Sequence, residues 1–344
     1  MPAIVLDILH RFLPPPYISL EDDSTISIKG WSTDFDRIRP EYMVFHAATV
    51  NSIDQHLGPA LDYAQRDPAA ADEIGLHVAA QRPNIINHQQ ILTEGDVRRD
   101  FYENVESVYR LGFRYGPRPW PRSECGPTGH TTTNITVDYQ LSWSSEDLQY
   151  EKAVMIGEMK RPGVIVPHEW LGPEHGGRIP GRNTRALQLQ LRGYAYQYKC
   201  PQVFLYDSVH LLILQFRART REDIRSRDCI IDCWIIPRAE EYCTFQYALY
   251  RLAWRGWVRL SATLDGGNRD ERLELEVTID RMDRRYEYWS GRPIWEVTPG
   301  RYEYVHPNGW QRQWMQNQQQ NNGYWFWARP GSQDRVRDTG NCLL

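Results

Sequence analysis

The chain reads as an α/β fold, a mixed sheet of four or five strands between helices, on four observations. Period-two alternation marks a strand at 134–143, and a short apolar run ends in Gly157-Glu158-Met159-Lys160-Arg161-Pro162. Helical spacing follows at 184–199, and two further apolar strands, 203–206 and 209–216, flank a turn at Asp207-Ser208. Strand and helix signals thus interleave along the chain instead of falling into separate blocks.

The first helix opens at Ile91-Leu92-Thr93-Glu94-Gly95-Asp96. Thr93 suits an N-cap, and Asp96 three positions later is close to a capping box. In 134–143 the apolar set is Ile135, Val137, Tyr139, Leu141 and Trp143, and the polar set is Thr136, Asp138, Gln140 and Ser142. This pattern predicts a half-buried strand with a solvated polar face. Aspartate is a poor strand former, so Asp138 in mid-strand points to a local reason for its presence.

In the next strand Glu158 and Lys160 are two apart and project from one face. A carboxylate that holds a divalent metal, beside an ammonium that steadies an attacking water, suits phosphodiester hydrolysis. The same spacing also arises on solvated strands. The helix at 184–199 places Leu187, Leu191, Tyr194 and Tyr198 on one side, with Gln190 and Tyr194 four apart on a shared face.

Asp138 followed by Glu158-x-Lys160 on the next strand resembles the PD-(D/E)XK nuclease superfamily. Gln190-Leu191-Arg192-Gly193-Tyr194 looks like the Q-x-x-x-Y signature of its exonuclease branch. The resemblance spans 91–260, about half of the chain, and is nearest to the nuclease-like domain of many fungal proteins. One departure is that Val137, not proline, precedes the first acid.

The resemblance implies a restriction-endonuclease-like core at 91–262, with a helical N-terminal extension at 1–90 and an aromatic-rich C-terminal extension at 263–344. Residues 229–238 would be a later strand and 245–253 a closing helix. It further implies a metal-dependent nuclease, with DNA ahead of RNA as substrate. Mg²⁺ or Mn²⁺ would be held by Asp138, Glu158 and a further acid from the first helix, Glu94 or in its place Glu103. Acids in a first helical turn also serve the helix dipole without any metal. Lys160 would hold or help deprotonate the attacking water; its desolvated position would lower its pKa, but it reads more simply as an electrostatic post. Gln190 and Tyr194 would orient Lys160 and a substrate phosphate. A catalytically inactive module of the same fold, binding nucleic acid or a protein partner, is the alternative.

A net charge of −4 argues against a protein that coats nucleic acid generically, because counterion release needs clustered cations. A local cluster exists: Arg178, Arg182, Arg185, Arg192 and Lys199 lie in a stretch without Asp or Glu, and they are the candidate phosphate contacts. The 13 Trp supply large apolar areas for a core although only 41% of residues are hydrophobic. Six cysteines at irregular spacing define no disulfide framework, and Cys229 and Cys233 read as core thiols, not zinc ligands.

His168 and His175, in a Gly/Pro-rich loop, read as surface or substrate-loop residues, not ligands. No apolar run is long enough to span a membrane, and the apolar patch at 4–9 lacks a basic leader, so an intracellular protein of nucleus or cytoplasm is expected. Phosphate-loop, dinucleotide, serine-hydrolase and zinc-protease motifs are missing. Residues 57–81 read as one or two helices and 273–279 as a strand. Trp310, Trp314 and 325–327, near a Gln/Asn run at 316–322, either stack on bases or anchor a tail.

Overall fold

The computed structural model describes residues 26–57, 90–113, 120–125, 135–143, 152–218, 220–238 and 243–264, with shorter stretches toward both ends. Their centre is a mixed sheet of seven strands. The strands are β1 (Met43–Phe45), β2 (Trp120–Cys125), β3 (Val137–Trp143), β4 (Lys152–Met159), β5 (Gln202–Tyr206), β6 (His210–Phe216) and β7 (Ile231–Pro237). They lie in the order β1-β7-β6-β5-β4-β3-β2. Only β4–β5 and β1–β7 pair in parallel.

The principal helices are α1 (Val50–Leu57), α2 (Glu94–Asp100), α3 (Arg182–Gln197), α4 (Arg221–Arg225) and α5 (Phe245–Leu264). A parallel neighbour cannot be reached by a hairpin, and α3 lies in the crossover from β4 to β5. The predicted capping box at the start of α2 is present, with Asp96 N donating to Thr93 Oγ1 (3.1 Å) and Thr93 N to Asp96 Oδ2 (3.0 Å). The helix then widens into π geometry over Phe101–Glu106.

Two apolar layers sandwich the sheet. One gathers α1, the α2 segment and α5 around Phe101, Val105, Tyr139, Phe204, Tyr206, Trp234 and Trp254. The other sets Leu187, Leu191 and Tyr194 of α3 against Ile156, Val203, Leu205 and Leu214. Each large side chain fully withdrawn from water contributes about 1.5–3 kcal/mol.

Two expectations are corrected here. The sheet has seven strands, not four or five, because β1 is too short to carry an alternation signal and β2, Trp-Pro-Arg-Ser-Glu-Cys, has none. In the segment before residue 90, β1 pairs with β7, and α1 buries Ile53 and Leu57 in the α5 layer. β3 is buried along its whole length and not on one face alone. Helices cover both sides of the sheet, so Gln140 and Ser142 satisfy one another (2.5 Å) instead of meeting water.

The remainder of the helical prediction at 57–81 lies outside the described residues. Toward the C-terminus Leu275–Val277 is a strand within the stretch expected to be one, and Gln311–Asn317 pairs antiparallel with Asn322–Ala328. The side chains of those aromatic strands lie outside the described residues.

Candidate active site

The antiparallel pairing of β3 with β4 sets Tyr139 opposite Gly157. One residue beyond that pair on each strand come Asp138 and Glu158, at the end of β4 where it runs beside β5. Gly157 is required there, because a Cβ would overlap the Phe204 ring that crosses it from β5. Main-chain contacts fix the corner: Met159 N donates to Asp138 Oδ2 (2.7 Å) and Lys160 N to Tyr206 O (2.9 Å).

The side chains converge. Lys160 Nζ lies 2.6 Å from Glu158 Oε1, 3.7 Å from Glu94 Oε2 and 3.9 Å from Asp138 Oδ2. Tyr194 in α3 donates its hydroxyl to Glu158 Oε1 over 3.4 Å. All of these residues, with Gln190, line one cleft of about 420 Å³. Glu94 lines that cleft; Glu103 is exposed farther along the helix and does not.

Burial governs the electrostatics. Desolvation, with the like charges of Asp138 and Glu94 added, pushes the Glu158 carboxyl up to about 7 against the pull of Lys160. Desolvation alone would depress Lys160, but Glu158, Asp138 and Glu94 outweigh it and hold the ammonium above its ordinary value. Of the two roles open from sequence, a depressed lysine and an electrostatic post, this direction agrees with the second. Burial and the neighbouring carboxylates keep the Tyr194 hydroxyl protonated, as a donor.

The donor set suits a hard divalent cation. Glu158 Oε2 is buried and has no hydrogen-bond partner, an arrangement that is costly unless something positive faces it. Glu158 and Asp138 offer carboxylate oxygens at the buried end of the cleft, with Glu94 at its more exposed side, the ligand type Mg²⁺ and Mn²⁺ take.

Three predicted roles are not matched by the geometry. Gln190 Nε2 donates to Ser27 O (2.9 Å) and so ties down the 26–31 segment, where an orienting contact to Lys160 was expected. Tyr194 bonds Glu158, not Lys160. Among the five proposed phosphate contacts, Arg178, Arg182, Arg185 and Lys199 are exposed. Arg192 is fully buried and donates to Ile224 O (2.9 Å) and Ser226 O, pinning the end of α4, so it cannot reach a substrate. Lys199 follows the opposite end of α3 from Arg182, ~24 Å along the helix.

Other cleft residues escaped the sequence reading: Arg98, Lys29, Arg161 and Trp31. Arg98 Nη2 lies 2.5 Å from Asp138 Oδ1 and 3.5 Å from Glu94 Oε1, and its Nη1 contacts Glu124. Its spacing of four from Glu94 on α2 was a usable signal. Trp31 packs on Tyr194 with ring centroids 5.1 Å apart and fills the notch left by Gly193. A glycine in mid-helix, costly by about 1 kcal/mol, was the sign that something approaches there.

A second charged cluster joins His46, His56 and Asp232, whose ligand atoms lie within 4.8 Å of one another. Both Asp232 oxygens are already taken by the Arg217 fork (2.8 and 2.6 Å), and Oδ1 also faces His46 Nε2 at 2.6 Å. That carboxylate is satisfied without an ion. Cys200, Cys229, Cys233 and Cys243 are buried, as core thiols are. No helix among the described residues is long and apolar enough to cross a membrane. Comparison of the chain with family models, with curated proteins and with solved structures found no match.

Proposed function

We propose that this protein is a metal-dependent nuclease that hydrolyses nucleic-acid phosphodiester bonds, DNA ahead of RNA, through a PD-(D/E)XK-type site on a restriction-endonuclease-like core. The observation that carries this reading is the meeting of Asp138, Glu158, Lys160 and Glu94, from three separate elements, in one cleft around an unpartnered carboxylate oxygen. Chance surface acids do not leave a buried oxygen unsatisfied.

In this reading Asp138 and Glu158 provide the main oxygen ligands and Glu94 a third. Bound Mg²⁺ or Mn²⁺ would supply Lewis-acid polarisation and a more acidic water. Lys160, held charged by three carboxylates, offsets negative charge on the phosphoryl group as it is attacked. Tyr194 keeps Glu158 oriented through its hydroxyl. Arg161 at the cleft and the exposed Arg178, Arg182 and Arg185 offer contacts for flanking phosphates.

The test is incubation with circular and linear DNA and with RNA, in Mg²⁺ or chelator, using wild type, Asp138→Ala and Lys160→Ala. Cleavage should require the metal and fall ~10²–10³-fold in either variant with the melting transition retained. Salt-sensitive binding without any cleavage would instead assign a non-catalytic nucleic-acid module.

A further inference from the structure

Arg98 is a cation of the cleft whose position the proposed chemistry does not use. Its guanidinium spans Asp138 Oδ1 at 2.5 Å and Glu94 Oε1 at 3.5 Å, while its other terminal nitrogen contacts Glu124. Asp138 Oδ2 already accepts from Met159 N, so Oδ1 is the oxygen left for an ion, and Arg98 holds it. Glu94, the third proposed ligand, is drawn to the same guanidinium.

We infer that Arg98 is the resident counter-ion of the metal site: a divalent cation and the Arg98 guanidinium compete for Asp138 Oδ1 and Glu94, and the displaced guanidinium then serves as a substrate-phosphate anchor. This rests on the metal reading above. Three facts argue for exchange over a fixed structural bridge. The Arg98 side chain is 30% exposed, and Glu124, its outermost partner, is 66% exposed, so the guanidinium can swing toward solvent without crossing the core. Its Nε is buried and unpartnered, so the present pose does not satisfy the whole group. Finally, Lys160 already lies within 4 Å of the same three acids that an ion would neutralise. An ion, Lys160 and Arg98 together would crowd the acids with more positive charge than they hold, and Arg98 is the member nearest solvent.

A planar guanidinium matches a phosphate as well as it matches a carboxylate. Displaced from Asp138, Arg98 remains at the cleft wall, on the same helix as Glu94. Metal binding would thereby create a phosphate site that the metal-free protein keeps closed, coupling the two ligands.

The experiment is calorimetric titration of the full chain with MnCl₂ alone, for wild type, Arg98→Gln, Arg98→Lys and Asp138→Ala. A second titration uses a short phosphorylated oligonucleotide in Ca²⁺, followed by fluorescence polarisation. Arg98→Gln should tighten Mn²⁺ about tenfold, the scale of one charge-assisted hydrogen bond removed from competition, yet weaken the oligonucleotide severalfold. Arg98→Lys, which keeps the charge without the fork, should fall between on both measurements and covers the case in which the glutamine variant misfolds. Unchanged or weaker Mn²⁺ binding in both folded Arg98 variants overturns the exchange. Wild type that binds no Mn²⁺, or binds it as Asp138→Ala does, overturns the metal reading itself.

Discussion

Asp100 and Glu158 are both nearly withdrawn from solvent, at 4% and 6% exposure, and each faces a cation. Around Asp100 every position is filled. Arg238 grips both oxygens (2.6 and 3.0 Å), Tyr206 and Ser208 donate to Oδ2 (2.5 and 2.9 Å), and Asn104 donates to Oδ1 (2.8 Å). Around Glu158, Lys160 and Tyr194 share Oε1, and Oε2 has nothing. The first carboxylate joins α2 to the β5–β6 turn and to the residue after β7. The second stands at the end of a cleft. A buried charge that is fully satisfied is a structural tie, whereas one left half-satisfied marks where a ligand belongs.

The pH linkage of the two runs in opposite directions. Burial raises Asp100, but Arg238, Tyr206 and Asn104 outweigh it and hold the carboxyl below its ordinary value. Its contribution to stability is present above the ordinary aspartate range and is lost as pH falls through the lowered folded value. Glu158 is raised from 4.5 to about 7, so its contribution is full below 4.5 and disappears as pH rises through that window.

The contrast can be broken at its strongest point first. Asp100→Ala should cost about 3–5 kcal/mol in urea unfolding, because it strands Arg238 in the core; a cost under about 1 kcal/mol would show that the cluster is not a tie. Next, the metal-free wild type should lose on the order of 2–3 kcal/mol relative to Glu158→Gln as pH goes from 4.5 to 7. Parallel stability curves for the two proteins would show that Glu158 ionises freely, and saturating Mn²⁺ should remove the difference.

Smaller effects sharpen the cleft wall. In Gly193→Ala the new Cβ overlaps the Trp31 ring and meets Phe35, so the 26–31 segment must shift. Oligonucleotide affinity should drop by less than about tenfold, worth ~1 kcal/mol, with the melting transition close to wild type. Smallest is Arg182→Ala, which should lower the salt slope of binding by roughly one phosphate contact. Arg192→Met, by contrast, should leave that slope alone and lower stability, since its guanidinium serves the carbonyls of Ile224 and Ser226.

Much of this comparison is legible in the chain and some is not. Asp138, Glu158, Lys160 and Tyr194 announce themselves through local spacing on strongly periodic elements, and the Thr93–Asp96 cap fixes where α2 begins. Gln190 carries the right spacing and still turns to Ser27, because a segment distant in sequence offers its amide a partner. Arg192 looks like one more cation in a basic stretch, yet its place on the helix turns it into the core. Edge strands β1 and β2 lack a pattern, since what stabilises them is the neighbour they pair with.

Periodicity and spacing along the chain alone determine the central strands and the long helix α3, and that Glu158 and Lys160 share one face, because these depend on neighbours a few residues away. Tertiary packing alone decides that Glu158 is buried with a vacant oxygen, that Arg98 lies on Asp138, and that Trp31 walls the cleft. Those features depend on desolvation and on charges brought close from distant parts of the chain, and no local pattern encodes either.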